Sequence, residues 1–322
     1  MERELHMTIF WIIHLAMLGL FGVELLFVLS VWFKARVPGL PANASRWRKL
    51  GASLGGLFGL IFSRRIWVLL RALVVDGMVH RRLYTRDVRR WAIHISVFGS
   101  WLLLGVISTI TGVVVEFLPL LGMEPEQIGA IPLLGGMFHA DVWWVALVND
   151  VLGLIVMAGM GLVVYRRYIA RDPQLRTIPA DTVTIALLTI IAFSGFPTEV
   201  FRLLADYTTA AGVVNFDPTM IPVERLPEVL HGVWGPQWGF VGYLSALVLG
   251  GLGISAHTWE IVYNVFFWFH FIIVTALLYY LPFSRFFHVI MSPVIVAYNT
   301  MRKEEAHGHG GAAKQPAPGA VG

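Results

Sequence analysis

Five long apolar stretches dominate the pattern of hydrophobic and polar positions along the 322-residue chain. Each is close to the roughly 20 residues that a helix needs to cross the hydrocarbon core of a bilayer. They cover about residues 9–33, 91–117, 142–164, 182–204 and 261–288. The pattern therefore predicts an all-α membrane protein with five transmembrane helices.

Two further apolar stretches are predicted not to cross the membrane. Residues 50–73 contain three arginines, so we expect a segment on the membrane surface or a soluble helical hairpin. Residues 240–254 are rich in glycine and too short to span, which favours a re-entrant or interfacial segment. This second stretch belongs to an outer loop at about residues 205–256.

Composition agrees with a multi-pass membrane protein. The chain is 57% hydrophobic and 14% charged, which is more apolar surface than a soluble protein of this size can bury. The first apolar stretch has no cleavage site after it, so we expect a retained helix. The chain has no cysteine, so any iron–sulfur cluster must belong to a partner. Nothing in the composition indicates a nucleic-acid partner.

Lysine and arginine predict the orientation. Residues 34–90 hold 13 of the 24 basic residues, and more of them follow the third and fifth stretches. The positive-inside rule therefore predicts an outer amino terminus and a cytoplasmic carboxyl terminus, in the cytoplasmic (inner) membrane. The basic stretch 46–90 has two open interpretations: a face that contacts lipid headgroups, or a docking platform for a soluble cytoplasmic subunit.

Histidines in or beside the apolar stretches are the candidate cofactor ligands. An unpaired ionisable side chain is costly in hydrocarbon, so an intramembrane histidine marks a functional site by default. Bundles hold b-type haem between histidines of facing helices. The candidates are His14, His94, His139, His270 and His288.

The fifth stretch carries two of these histidines. His270 and His288 are 18 residues apart. In one continuous helix this separation is about five turns, which would place both imidazoles on one face, roughly 27 Å apart along the axis. Such a pair would suit two haem irons, one near each membrane surface.

His94 and His288 are both expected near the cytoplasmic face. His94 is four residues after Arg90, and His288 is three residues after Arg285. Together with Arg89, these arginines could neutralise haem propionates.

Two segments resemble known membrane cytochromes. LPFSRFFHVIMSPV at 281–294, preceded by WFH at 268–270, resembles the last helix of the gamma subunit of respiratory nitrate reductase. RRLYTRDVRRWAIHISVFGSWLLLG at 81–105 resembles the membrane cytochromes b of heterodisulfide-reductase-like and sulfite-reduction-associated complexes. The resemblance implies a subunit with two haems b that exchanges electrons between menaquinone and a cytoplasmic iron–sulfur subunit.

The same resemblance implies ligand roles. His94 and His288 would hold the cytoplasm-side haem, and His270 would supply one ligand to the outer haem. Leu104 stands where the nitrate reductase type has a second histidine, so the partner of His270 must come from elsewhere, or the outer haem is absent or differently ligated. This departure and the long basic loop favour a heterodisulfide-reductase-like complex.

The second ligand of the outer haem has two candidates. Depth favours His14, which is 20 residues above Lys34 and so roughly 30 Å above the cytoplasmic edge of its helix. His139 is placed at or beyond the outer surface. Family architecture argues the other way, because the first helix of the nitrate reductase type lies outside the haem-binding bundle.

Polar groups in the third and fourth stretches also have two interpretations. Glu199 and Arg202 are three residues apart on one helix face and can pair. With Asp150 they form either a structural network or a quinone site, which needs a proton acceptor and a donor to the quinone carbonyl. His139 is a further group available near that site.

The sequence thus predicts a first helix (1–33), a basic cytoplasmic connection (34–90), a haem-binding bundle (91–300) and a disordered cytoplasmic tail (301–322). The predicted function is that of an electron-transfer subunit in a quinone-linked oxidoreductase complex of the respiratory chain. The alternatives are a haem-free membrane anchor and a small-solute or proton transporter. The sequence leaves open the direction of electron flow, the side of the quinone site and the terminal substrate.

Overall fold

A computed structural model describes residues 2–32, 40–41, 43–64, 66–131, 137–175, 177–221 and 232–284, and the single positions 287, 291, 292, 295 and 299. Most of these residues are helical, and none belongs to a strand. The helices are α1 (Glu2–Trp32), α2 (Arg46–Ile61), α3 (Ile66–Ala72), α4 (Arg81–Arg86), α5 (Val88–Gly112), α6 (Leu118–Leu120), α7 (Pro125–Gly129), α8 (Trp143–Val164), α9 (Pro179–Tyr207), α10 (Phe240–Gly250) and α11 (Ala256–Tyr280).

Five described helical segments are long and apolar enough to cross a membrane, which confirms the prediction of an all-α, five-span protein. They are Thr8–Val31, Val88–Leu120, Trp143–Ile169, Pro179–Tyr207 and Ala256–Phe283. The second and third continue α5 and α8 through π-helical turns at Val113–Phe117 and Tyr165–Ile169. The stretch at 240–254 forms only the 11-residue helix α10, too short to span.

The fifth helix differs from the prediction. It begins at Ala256, where the Ser255 side chain accepts the Thr258 N–H as an N-cap. It ends at Tyr280, followed by one 3₁₀ turn to Phe283 and extended backbone at Ser284. Pro282 explains the end, because proline lacks an N–H and its ring clashes with the preceding helical turn.

The expectation that helical geometry continues from His270 to His288 is therefore wrong. His270 lies within α11, whereas His288 follows the break and lies outside the described residues. The 27 Å separation, which was derived from a continuous helix, no longer applies.

The chain divides into two compact units. The first contains Met1–Glu24 and Ile93–Ser284, and the second contains Leu25–Ala92 and Arg285–Gly322. In the first unit α9 packs against α8, α10 and α11. Its core lies at the ends of these helices that are predicted to be outer, and includes the fully buried Val145, Leu204 and Tyr207.

Two glycines of α8 allow close helix packing in the first unit. A Cβ at Gly159 would lie 2.5 Å from Ser96 Oγ of α5, and one at Gly153 would lie 2.7 Å from the Phe196 ring of α9. Both separations are shorter than ordinary van der Waals contact. The absence of a side chain at these positions therefore sets how closely α5 and α9 approach α8.

The first helix joins the first unit through aromatic rings. The ring centroid of Phe10 is 5.3 Å from that of Phe267 and 4.9 Å from that of Phe271, both on α11. Trp11 packs on Phe117 at 5.1 Å, at the π-helical end of α5. The amino-terminal part of α1 is thus packed on the bundle, unlike the first helix of the nitrate reductase type in the resemblance.

The second unit contains α2, α3 and α4. Residues 62–64 form turns and a bend after α2, and α3 runs into a π-helical turn at Leu73–Met78. Helices α2 and α3 have 16 and 7 residues, so neither is long enough to span. Both predicted alternatives for residues 50–73, a segment on the membrane surface and a soluble helical hairpin, are non-spanning and are compatible with these lengths.

Candidate functional site

His270 has a defined hydrogen-bond partner inside the bundle. Its Nδ1 is 2.8 Å from the Ser194 hydroxyl of α9, and that hydroxyl also lies 3.2 Å from the carbonyl oxygen of Ile191. A serine hydroxyl has one proton to donate. If it donates to the Ile191 carbonyl, its oxygen accepts the Nδ1–H of His270, and Nε2 keeps its lone pair.

This arrangement fits an iron ligand. Metal-binding histidines almost always donate the second ring N–H to an acceptor, which fixes the tautomer and raises the basicity of the ligating nitrogen. Gly195 also places no side chain beside the ring, since a Cβ there would be 3.8 Å from His270 Cε1. The donor set around His270 therefore fits haem b ligation.

His14 lies against the residue next to His270. Its ring stacks on Phe10 with centroids 5.5 Å apart and an interplanar angle of 23°. Its centroid is 6.0 Å from that of Phe271. The contact with Phe271 places His14 at the depth of His270, and within the described part of the chain its imidazole makes no hydrogen bond.

His139 has the opposite hydrogen-bond pattern. It is 7% exposed and precedes α8. Its Nδ1 accepts the backbone N–H of Asp141 at 3.1 Å, so the neutral ring carries its proton on Nε2. That tautomer offers no Nε2 lone pair, so the fit to a haem ligand is poorer than that of His270.

Of the two histidines predicted to hold the cytoplasm-side haem, only His94 lies within the described residues. His94 is in α5, where its ring stacks on Phe98 with centroids 5.7 Å apart. His288 and Arg285 lie outside the described residues, so ligation by His94 and His288 stays a prediction. Of the arginines suggested for haem propionates, Arg90 pairs with Asp87 at 2.9 Å.

Arg202 is the centre of a polar cluster near the end of α9. Its Nε and one terminal nitrogen donate to the two Glu199 oxygens at 2.9 and 2.8 Å. Its two terminal nitrogens donate to the two Asp141 oxygens at 2.6 and 3.1 Å, and one of them also donates to Asp206 at 3.2 Å. A guanidinium has five N–H donors, so these five hydrogen bonds use all of them.

Asp141 is fully buried in this cluster, just outside the membrane-spanning part of α8. Burial by itself would raise the pKa of Asp141, but the Arg202 guanidinium holds the pKa of that carboxyl below its ordinary value of 3.8. Tyr207, which also lowers the pKa of Asp141, accepts the indole N–H of Trp234 with its hydroxyl at 3.0 Å. Asp141 is therefore an ionised anchor that joins the segment before α8 to α9.

Asp150 belongs to α8, and its side chain lies at the start of the short helix α10. Its Oδ2 accepts the N–H of Val241 at 2.6 Å, one of the amino-terminal N–H groups that lack a partner within a helix. Glu199 reaches the same place, because its Cγ would be 3.1 Å from a Cβ at Gly242. The predicted trio of Glu199, Arg202 and Asp150 is thus brought together, and the predicted pairing of Glu199 with Arg202 is confirmed.

Sequence reasoning missed the other members of this cluster. Asp206 had a local signal, since it follows Arg202 by four residues and falls on the same helix face. Asp141 precedes Arg202 by 61 residues, and only the packing of α8 on α9 brings them together. Within the described residues, no group of three or more histidines or acids could hold a metal ion.

Comparison with known proteins finds relatives over about half of the chain. It is 26% identical over 160 residues to a subunit of the dihydromethanophenazine:CoB–CoM heterodisulfide reductase from Methanosarcina thermophila. The corresponding subunits from Methanosarcina barkeri and Methanosarcina acetivorans are 26% and 24% identical over 161 residues. Each match covers 49% of this chain and 54% of the relative, so the chain spans about half the length of the curated relatives it matches.

No family model and no solved structure matches the chain. The relatives agree with the heterodisulfide-reductase-like part of the resemblance and not with the nitrate reductase gamma part. Together with the five apolar helices, they support a multi-pass membrane subunit of an electron-transfer complex.

Proposed function

We propose that this chain is the haem b subunit of a respiratory complex and transfers electrons between menaquinone and a cytoplasmic iron–sulfur partner. The chain is a multi-pass membrane protein, and its relatives are named as subunits of a heterodisulfide reductase. The chain has no cysteine, so a cluster that exchanges electrons with it belongs to the partner.

The observation that carries the proposal is the hydrogen bond between His270 and Ser194, 2.8 Å long. In the proposal Ser194 orients the imidazole and accepts its Nδ1–H, which leaves Nε2 as the ligating atom. A haem held by two imidazoles has no open position, so it supplies electron transfer rather than oxygen binding.

The outer haem needs a second ligand, for which we favour His14. It lies against Phe271 at the depth of His270, whereas the Nδ1 of His139 is occupied by a backbone N–H. We propose His94 and His288 as the ligands of a second haem near the cytoplasmic face.

We propose a quinone site beside the polar cluster, with a defined division of roles. All five Arg202 donors are used by carboxylates, so Arg202 would hold these acids in place rather than bind a quinone carbonyl. Asp150 would likewise fix α10. The Glu199 side chain is 35% exposed, which makes it the most accessible of these three predicted groups to accept a proton from a quinol.

A reduced-minus-oxidised optical spectrum of the purified protein tests the proposal. We expect the bands of haem b in the wild-type protein. The variant His270→Ala should lose the outer haem signal and keep the inner one, and His94→Ala should do the reverse. A colourless wild-type protein would refute the proposal and favour a haem-free anchor or a transporter.

Ser194→Ala tests the role of the hydrogen bond separately from the presence of haem. Loss of the Nδ1–H acceptor should make the imidazole a weaker electron donor and raise the reduction potential of the outer haem. A hydrogen bond of about 0.5–1.5 kcal/mol corresponds to roughly 20–60 mV for one electron. Ser100→Ala, at another buried serine, is the matched control and should leave the potential unchanged.

A further inference from the structure

We propose that α2, the following turn and α3, together called the arm (residues 46–72), lie on the cytoplasmic surface of the bilayer. Its aromatic side chains would enter the acyl-chain region, and its arginines would contact the phosphates of anionic lipids. This inference depends on the membrane placement of the chain and not on haem.

Helix α2 has the burial pattern opposite to that of a helix on a soluble protein. Lys49 is only 4% exposed, whereas Trp47 is 78% and Phe58 is 60% exposed. Trp47, Leu54 and Phe58 are spaced by seven and four residues, so they form one stripe. A surface helix in water buries such a stripe and exposes its lysine, so the outward stripe needs an apolar environment.

The rest of the arm also exposes large apolar side chains. Phe62 in the turn is 85% exposed, and Trp67 and Leu70 on one face of α3 are 74% and 39% exposed. Aromatic residues of this kind concentrate at the membrane–water interface. Large apolar side chains exposed to this degree mark a site that another phase or molecule covers.

Charge on the arm identifies lipid as the covering phase. Arg46, Arg48, Arg64 and Arg71 are all exposed. Basic residues interleaved with tryptophan and phenylalanine are typical of helices that lie in the plane of the interface. The cytoplasmic leaflet is negatively charged and attracts such segments.

Local contacts fix the carboxyl-terminal end of the arm to the membrane surface. The π-helical turn that follows α3 leads to Val79, whose carbonyl accepts the indole N–H of Trp91 at 2.7 Å. The Trp91 ring also packs edge-on against Tyr84, with centroids 5.0 Å apart. Trp91 is in the first turn of α5, where the second span begins, so the arm ends at the level of the interface.

The inference narrows the docking site for the cytoplasmic partner. If the arm contacts lipid, the basic residues of the 46–90 stretch that stay available to the partner are those of α4 and the start of α5. These exposed residues are Arg81, Arg82, Arg86 and Arg89.

The chain has no cysteine, so single spin labels can be placed without other changes. Labels at Phe58→Cys, Phe62→Cys and Trp67→Cys in the full chain, in nanodiscs of anionic phospholipid, report collision with oxygen, which enters lipid, and with a nickel chelate, which stays in water. Phe193→Cys on the apolar surface of α9, 62% exposed, is the lipid reference. Ala210→Cys, exposed in the turn after α9, is the water reference.

We expect the oxygen-to-nickel ratio of all three arm labels to match the lipid reference, and to shift towards the water reference when Arg46, Arg48 and Arg71 are replaced by glutamate. Ratios that match Ala210 in the unaltered arm would overturn the proposal. Protection of the labels from both reagents that occurs only in the complete complex would also overturn it, because a protein partner would then cover the arm.

Discussion

Replacement of Arg202 by leucine is the sharpest test of the polar cluster. The change removes all five donors that hold Asp141, Glu199 and Asp206. Leucine fits the apolar character of the membrane-spanning helix, so the loss of stability should come from the stranded carboxylates rather than from poor packing.

The buried partners set the size of the effect. The Asp141 side chain is 0% exposed and that of Asp206 is 8% exposed, whereas that of Glu199 is 35% exposed. Removal of one partner from a buried ion pair costs about 3–5 kcal/mol, and an exposed pair contributes only about 0–1 kcal/mol. We therefore expect Arg202→Leu to lower the free energy of unfolding by about 3–5 kcal/mol, most of it from Asp141.

Arg202→Lys and a double variant separate charge from geometry. Lysine keeps the charge but lacks the planar fork that grips two carboxylates, so we expect an intermediate loss of about 1–3 kcal/mol. In Asp141→Asn/Arg202→Leu the stranded charge is gone, so the loss should be smaller than the sum of the single losses.

Unfolding in mixed detergent micelles, followed by circular dichroism, measures these differences. Phe193→Leu, on the exposed apolar surface of the same helix, is the control and should change stability by less than about 0.5 kcal/mol. If Arg202→Leu stays within about 1 kcal/mol of the wild-type protein, the cluster is not the buried anchor described above.

Three further predictions concern the same bundle. The folded pKa of Asp141 is below 3.8, so its contribution to stability is full above pH 3.8 and is lost as the pH falls through the folded pKa. In thermal unfolding scans at decreasing pH, Asp141→Asn should therefore reduce the loss of stability on the acid side. Gly159→Val should separate α5 from α8 at Ser96 and lower the melting temperature, whereas Gly161→Ala, which meets nothing within 4 Å, should not. Asp150→Ala should cost about 0.5–2 kcal/mol by removing the acceptor at the start of α10, and Asp150→Asn should recover part of it.

The spanning helices could be predicted from the sequence because their signal is local and long. The pairing of Glu199 with Arg202 was also local, since a separation of three residues places both on one helix face. The end of α11 was missed although Pro282 was visible, because the apolar run continues past it and hydropathy does not register a missing N–H.

The rest of the site depends on contacts between distant parts of the chain. Ser194 precedes its partner His270 by 76 residues, and nothing near either residue indicates the other. The contact of His14 with Phe271 likewise needed the packing of α1 on α11. Depth along a helix predicted His14 at a level similar to that of His270, but only tertiary structure identifies which rings touch.

Because carboxylates use every N–H donor of Arg202, few single amino-acid substitutions can be tolerated in this cluster during evolution. Loss of either buried acid, Asp141 or Asp206, would leave a guanidinium N–H without its acceptor, and loss of the guanidinium would strand both of these acids. Stepwise drift at these positions therefore passes through unstable intermediates. Descendants of this protein that abandon the cluster should have exchanged the arginine and its buried acids together, in a single concerted replacement.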